Sequence, residues 1–99
     1  MNQTEIHEYL QPTEFDAYSL EITGYIKKAY EDTNNKEIIE KWICSSDIDI
    51  IDDNLLVVLN MPIPLFYIIG LWAEKNKKYI RKFRQRIYNE VIKNENNIE

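Results

Sequence analysis

The sequence predicts an all-α, single-domain protein of three to five helices, with a long C-terminal helix that pairs with a second copy in coiled-coil fashion. Three observations lead there. The 99 residues include only two Gly and three Pro, fewer turn formers than a small sheet protein needs. Hydrophobic residues make up 44% and charged residues 29%, the balance of a globular chain rather than a disordered one. Along most of the chain the apolar residues recur at steps of three and four, the period of a helix. A chain of this length holds one hydrophobic core, so a single domain over 1–99 is expected.

Residues 1–12 read as an N-terminal arm, with Ile6, Tyr9 and Leu10 available to pack against a neighbour. A first helix is expected over 14–31. Thr13 is placed to cap its free N–H groups, and Asp16 adds negative charge to its first turn. Phe15, Tyr18, Ile22, Tyr25, Ile26 and Ala29 share one face of it. Gly24 inside this helix costs about 1 kcal/mol against Ala, which points to a bend or a close contact there. Residues 32–35 (Asp-Thr-Asn-Asn) read as a turn by composition. A short second helix follows over 36–44, burying Ile38, Ile39, Trp42 and Ile43. Ser45, Ser46 and Asp47 are placed to cap a third element.

In that element Ile48, Ile51, Leu55, Val58 and Leu59 fit a helical stripe. Residues 55–59 also suit one short buried strand, so helix is preferred by a narrow margin. Pro62 and Pro64 force an extended break, and Pro64 suits the first turn of a new helix. From there the pattern is strongest. Trp72, Tyr79, Ile80, Phe83, Ile87 and Val91 fall within about a third of a helix circumference. A helix unbroken from 64 to 93 is about 45 Å long, whereas a compact chain of this size is about 33 Å across. Its outer stripe would be left in water, and pairing with a second copy removes that exposure. These six residues are therefore the expected dimer interface. The competing reading breaks the helix at Gly70 and folds everything into one monomer. Residues 94–99 are polar and are expected to fray.

Chemistry-bearing motifs are sparse. The single His7 lies far along the chain from the single Cys44. Cys44 follows Trp42 and Ile43 and is expected to be buried as a small hydrophobe. A lone Cys, with no recognisable leader sequence, suits an intracellular protein, in the host cytoplasm if the chain is viral. Asp47, Asp49, Asp52 and Asp53 miss a calcium loop: its fifth, sixth and twelfth positions are Ile51, Asp52 and Val58. Gly24 and Gly70 stand alone, so no phosphate-cradling loop forms. No enzyme activity, metal or cofactor is expected.

Charge is more informative. Residues 1–53 carry 13 acids and 4 bases, a balance of −9. Residues 54–99 carry 4 acids and 8 bases, a balance of +4, which together give the net −5. Such a chain is suited to pairing with itself. The basic run within 75–86, with Lys75, Lys78, Arg81, Lys82, Arg84 and Arg86 as the candidate contacts, suits a nucleic-acid backbone. Its charges, however, encircle the polar side of the helix, and the sequence pI near 4.9 opposes polyanion binding. The acidic half alternatively suits a nucleic-acid mimic or immunity-type inhibitor. Residues 55–73 lack charge and are long enough to span a bilayer. Asn60, Pro62, Pro64 and Gly70 interrupt that run and favour a buried core segment instead.

The stretches Ile38-Ile39-Glu40-Lys41-Trp42-Ile43 and Lys78-Tyr79-Ile80-Arg81-Lys82-Phe83 carry an Ile-, Lys-, Asn-, Glu- and Tyr-rich texture. In this the chain resembles small orphan proteins of viruses that infect thermophilic archaea. The resemblance implies a compact, often dimeric protein that contacts viral or host macromolecules. Together these readings predict a non-enzymatic protein-interaction or structural protein acting as a homodimer.

Overall fold

The structure, a computed structural model, describes residues 10–93. Five α-helices and a terminal π turn follow one another, and no strand occurs among the described residues. The arm residues Ile6 and Tyr9 and the tail 94–99 lie outside the described residues. Leu10 packs, partly buried, against the core of its own chain.

Helix α1 spans Pro12–Tyr30, starting two residues before the expected position. Pro12 occupies the first turn, where its missing N–H costs nothing. Thr13 therefore lies inside the helix, and the cap position falls to Gln11, whose side chain makes no capping bond. Phe15, Ser19, Ile22, Thr23, Ile26 and Tyr30 form the inward face. The helix runs through Gly24, and no outside atom comes within 4 Å of the place a Cβ would occupy. The close contact expected there is absent.

Helix α2, Thr33–Cys44, begins inside the segment read as a turn, because Asp32 caps it by accepting from Asn34 N at 2.9 Å. Asn35 Nδ2 donates to Ala29 O at 3.0 Å, tying the new helix to the end of α1. Helix α3, Asp53–Leu59, resolves the strand-or-helix question in favour of helix. It is capped by Asp52, which accepts from Leu55 N at 2.8 Å, rather than by Ser45–Asp47. It ends at Asn60, whose φ of 47° and ψ of 42° are the left-handed geometry of a helix C-terminus. Pro62 follows in extended conformation and starts α4, Ile63–Lys75, with Pro64 in its first turn. No single described helix is long and apolar enough to cross a membrane, and α3 and α4 meet at a bend of 118°.

The long C-terminal helix does not form. Asn76, with φ −148° and ψ 88°, separates α4 from α5, Lys77–Ile87. This one residue caps both. Its N–H donates to Trp72 O at 2.9 Å, closing α4, and its side-chain oxygen accepts from Tyr79 N at 3.3 Å, opening α5. Gly70, where the competing single-chain reading placed the break, lies within α4. Beyond α5 the chain widens into a π turn, Tyr88–Ile92. In a regular α-helix Ile92 sits about 140° around from Ile87. The wider winding returns it to the buried side, so Ile87, Val91 and Ile92 are all buried.

A chain of aromatic rings ties the helices together. Phe15 stacks on Tyr79 at 4.4 Å and meets Trp72 edge-on at 4.8 Å; Trp72 lies 5.7 Å from Phe83, which lies 6.4 Å from Trp42. The rings come from α1, α2, α4 and α5, and such pairs contribute about 0.5–1.5 kcal/mol each beyond area burial. Longest of the helices is α1, at 19 residues.

Two predictions follow from the helix ends and exposed positions. Asn76→Ala removes one side-chain cap and favours continuing the helix through the break. It is expected to lower unfolding free energy by about 1 kcal/mol in a urea titration. Gly24→Ala, with open space for its methyl group, should raise that free energy by up to about 1 kcal/mol.

Candidate interaction surface

Loop 45–52 joins α2 to α3 and is pinned from both sides. Ile48 is buried, and its carbonyl accepts from Trp42 Nε1 at 2.8 Å inside the core. Ser45 Oγ accepts from Asp47 N at 3.0 Å, and Ile50 N donates to Asp47 O at 2.9 Å. With Ile48 inward, its neighbours point outward on two sides. Asp47, Ile50 and Asp52 line a cleft of about 440 Å³ against Ile38 and Trp42 of α2. Asp49 and Ile51 line a groove of about 520 Å³ along α4.

The α4 groove follows one row of that helix. Ile63, Tyr67, Gly70 and Glu74 recur at steps of four, three and four, within about 60° of arc. Ile63 is 70% exposed and Tyr67 50% exposed. Gly70 leaves open space beside them. On the other side of the loop Ile50 is 67% exposed. Large apolar side chains held in water beside carboxylates form a surface suited to covering by another molecule. Reading 55–73 as a buried core segment missed Val57 on α3 and, on α4, Ile63 and Tyr67, all exposed. The signal available was the row itself, which ends in charged Glu74 and contains a glycine.

The six residues expected at a dimer interface lie elsewhere. Trp72, Tyr79, Ile80, Phe83, Ile87 and Val91 are all buried in the core of a single chain. The break at Asn76 turns their stripe inward, so it is not an exposed seam left for a second copy, and the structure gives a coiled-coil dimer on it no support.

The candidate nucleic-acid contacts divide. Lys75 pairs with Glu74 at 3.5 Å. Arg86 lies 3.4 Å from Glu90 and donates to Ser19 Oγ at 3.3 Å, which holds it against α1. Arg84 is half-buried, with no hydrogen-bond partner at Nε. Lys78, Arg81 and Lys82 are exposed on the side of α5 opposite its buried face. Among the described residues no ion pair joins those three to a carboxylate.

Cys44 is exposed, contrary to expectation. Ile39, Trp42 and Ile43 take the inward face of α2, and Cys44 falls about 140° around from Ile39. His7 lies outside the described residues. Among the described residues no group of three or more His, Cys, Asp or Glu side chains is arranged to hold a metal ion. Asp47, Asp49, Asp52 and Asp53 are all exposed, and Asp52 serves as the α3 cap.

The pinning of the loop is testable. Trp42→Phe keeps an aromatic ring of smaller size and leaves the buried Ile48 carbonyl without its donor, a loss of about 1–3 kcal/mol from the hydrogen bond alone, to which the volume lost from the core adds. Hydrogen exchange should show faster exchange in 45–52 than in α1.

No protein-family model matches the chain, and no curated protein or solved structure matches it.

Proposed function

We propose that this is a non-enzymatic protein-interaction protein that binds its partner on the acid-rimmed apolar surface flanking loop 45–52. The observation that carries the reading is the placement of Ile38, Ile50, Ile63 and Tyr67, all exposed, around two clefts edged by Asp47, Asp49, Asp52 and Glu74; the one base in their lining, Lys41, pairs with Glu37 at 3.2 Å. The apolar side chains supply binding free energy in proportion to the area they lose to water. The carboxylates select the sign of the partner's charge and speed its approach. A basic protein taken up in this way is what an immunity-type inhibitor would capture.

The rival reading is nucleic-acid binding through α5. It draws on Lys78, Arg81 and Lys82, which share one exposed face. Three such charges give weak, strongly salt-dependent binding, opposed by the net charge of −5.

Selection of displayed random peptides against the protein tests the main reading. Enriched peptides should combine Lys or Arg with apolar residues, and binding should fall at least tenfold in Ile50→Glu and Tyr67→Glu, both exposed enough to leave folding intact. Failure to enrich any peptide, or enrichment indifferent to both substitutions, would overturn it.

A further inference from the structure

We propose that the α4 groove receives the outer face of α5 from a second copy of the chain, so that copies associate head to tail. The inference rests on the groove being a protein-binding surface and names its occupant. Two observations point to that occupant.

The first is charge. The groove carries Asp49 at one side and Glu74 at the end of its row, with no basic residue in its lining. The α5 face carries Lys78, Arg81 and Lys82, joined to no carboxylate of their own chain among the described residues. Glu74 does touch Lys75, at 3.5 Å, but both side chains are about half or more exposed, and such pairs exchange readily. The chain therefore displays carboxylates along the α4 groove and, on α5, basic side chains that no carboxylate among the described residues pairs.

The second is shape and apolar content. Tyr88 follows Arg81 by seven residues, which places the two in nearly the same direction along the helix, and it is 51% exposed. Across the contact, Ile63 and Tyr67 stand beside the space left by Gly70. A Tyr and Arg face meeting an apolar groove with acidic edges has the composition of an interface centre. Because the two surfaces differ, the contact is heterologous. It closes no two-fold dimer, and successive copies add in one direction into a chain or ring.

Light scattering on the full-length chain tests this, at about 0.01 M and about 1 M salt, where the Debye length falls from about 30 Å to about 3 Å. Wild type should show a mass that rises with protein concentration at low salt and returns to the 11.9 kDa of one chain at high salt. Asp49→Lys with Glu74→Lys should stay at one-chain mass, as should Lys78→Glu with Arg81→Glu and Lys82→Glu; all five positions are exposed, and circular dichroism confirms that the helices persist. Mixing the two variants should restore association, because each reversed surface then meets its reversed complement. Wild type at one-chain mass under low salt overturns the proposal, as does association unaffected by either set. In that event peptides that still enrich on the groove would show that it binds a different protein. A one-chain wild type that binds a short labelled DNA or RNA duplex through Lys78, Arg81 and Lys82 would overturn it in favour of nucleic acid.

Discussion

Asn76 decides how the C-terminal third of the chain is used. Trp72 and Phe83 are 11 residues apart, about 16 Å along a straight helix, yet their rings lie 5.7 Å apart. Only a break between them permits that contact. Asn76 supplies it because its extended backbone ends α4 while its side chain starts α5, so the helix ends on both sides keep hydrogen-bond partners. The apolar stripe of 72–91 then closes on α1 and α2 instead of projecting into water.

Once the stripe is folded inward, the remaining elements have little freedom. Phe15 of α1 lies between Trp72 and Tyr79, and Trp42 of α2 reaches Phe83. Tyr79 also donates to Leu10 O at 2.8 Å, which fixes the entry to α1. Between α1 and the end of α5 the chain buries two polar side chains. Thr23 Oγ1 donates to Ser19 O at 2.7 Å within its own helix, and Ser19 Oγ accepts from Arg86. Both buried hydroxyls therefore have partners, as burial requires, while the Arg86 charge stays at the edge beside Glu90.

The same arrangement determines the surface. Because α4 is covered by α5 and the rest of the core over most of its circumference, the residues of it that reach solvent are few: the row Ile63, Tyr67, Gly70 and Glu74, apolar up to Glu74, with Pro64 and Lys75 beside it at the two helix ends. Loop 45–52 lies against it with Ile48 as its anchor, which turns the flanking aspartates outward. An acid-rimmed apolar surface and a basic helix face thus arise on one small chain from packing, without any catalytic arrangement among the described residues. Interaction through these surfaces is the functional reading they support best.

Composition and periodicity determined much of this protein. The all-α class, the Pro62–Pro64 break, and the common face of Trp72, Tyr79, Ile80, Phe83, Ile87 and Val91 all follow from residue type and spacing, which act over a few turns of chain, whereas the same spacing left 55–59 open between helix and strand. Helix starts were legible only roughly, because Pro12 and Asp32 competed with Thr13 and the Asn-rich turn for the same role. Tertiary structure alone decided what covers each face. Periodicity shows that residues share a side and is silent on whether that side meets the same chain, another chain or water. The break fell at Asn76 rather than Gly70 because a glycine costs a helix about 1 kcal/mol, which packing across α4 offsets, whereas Asn76 can cap the two helix ends it creates. Ile63, Tyr67 and Cys44 are exposed for the complementary reason: other residues of their helices already fill the core.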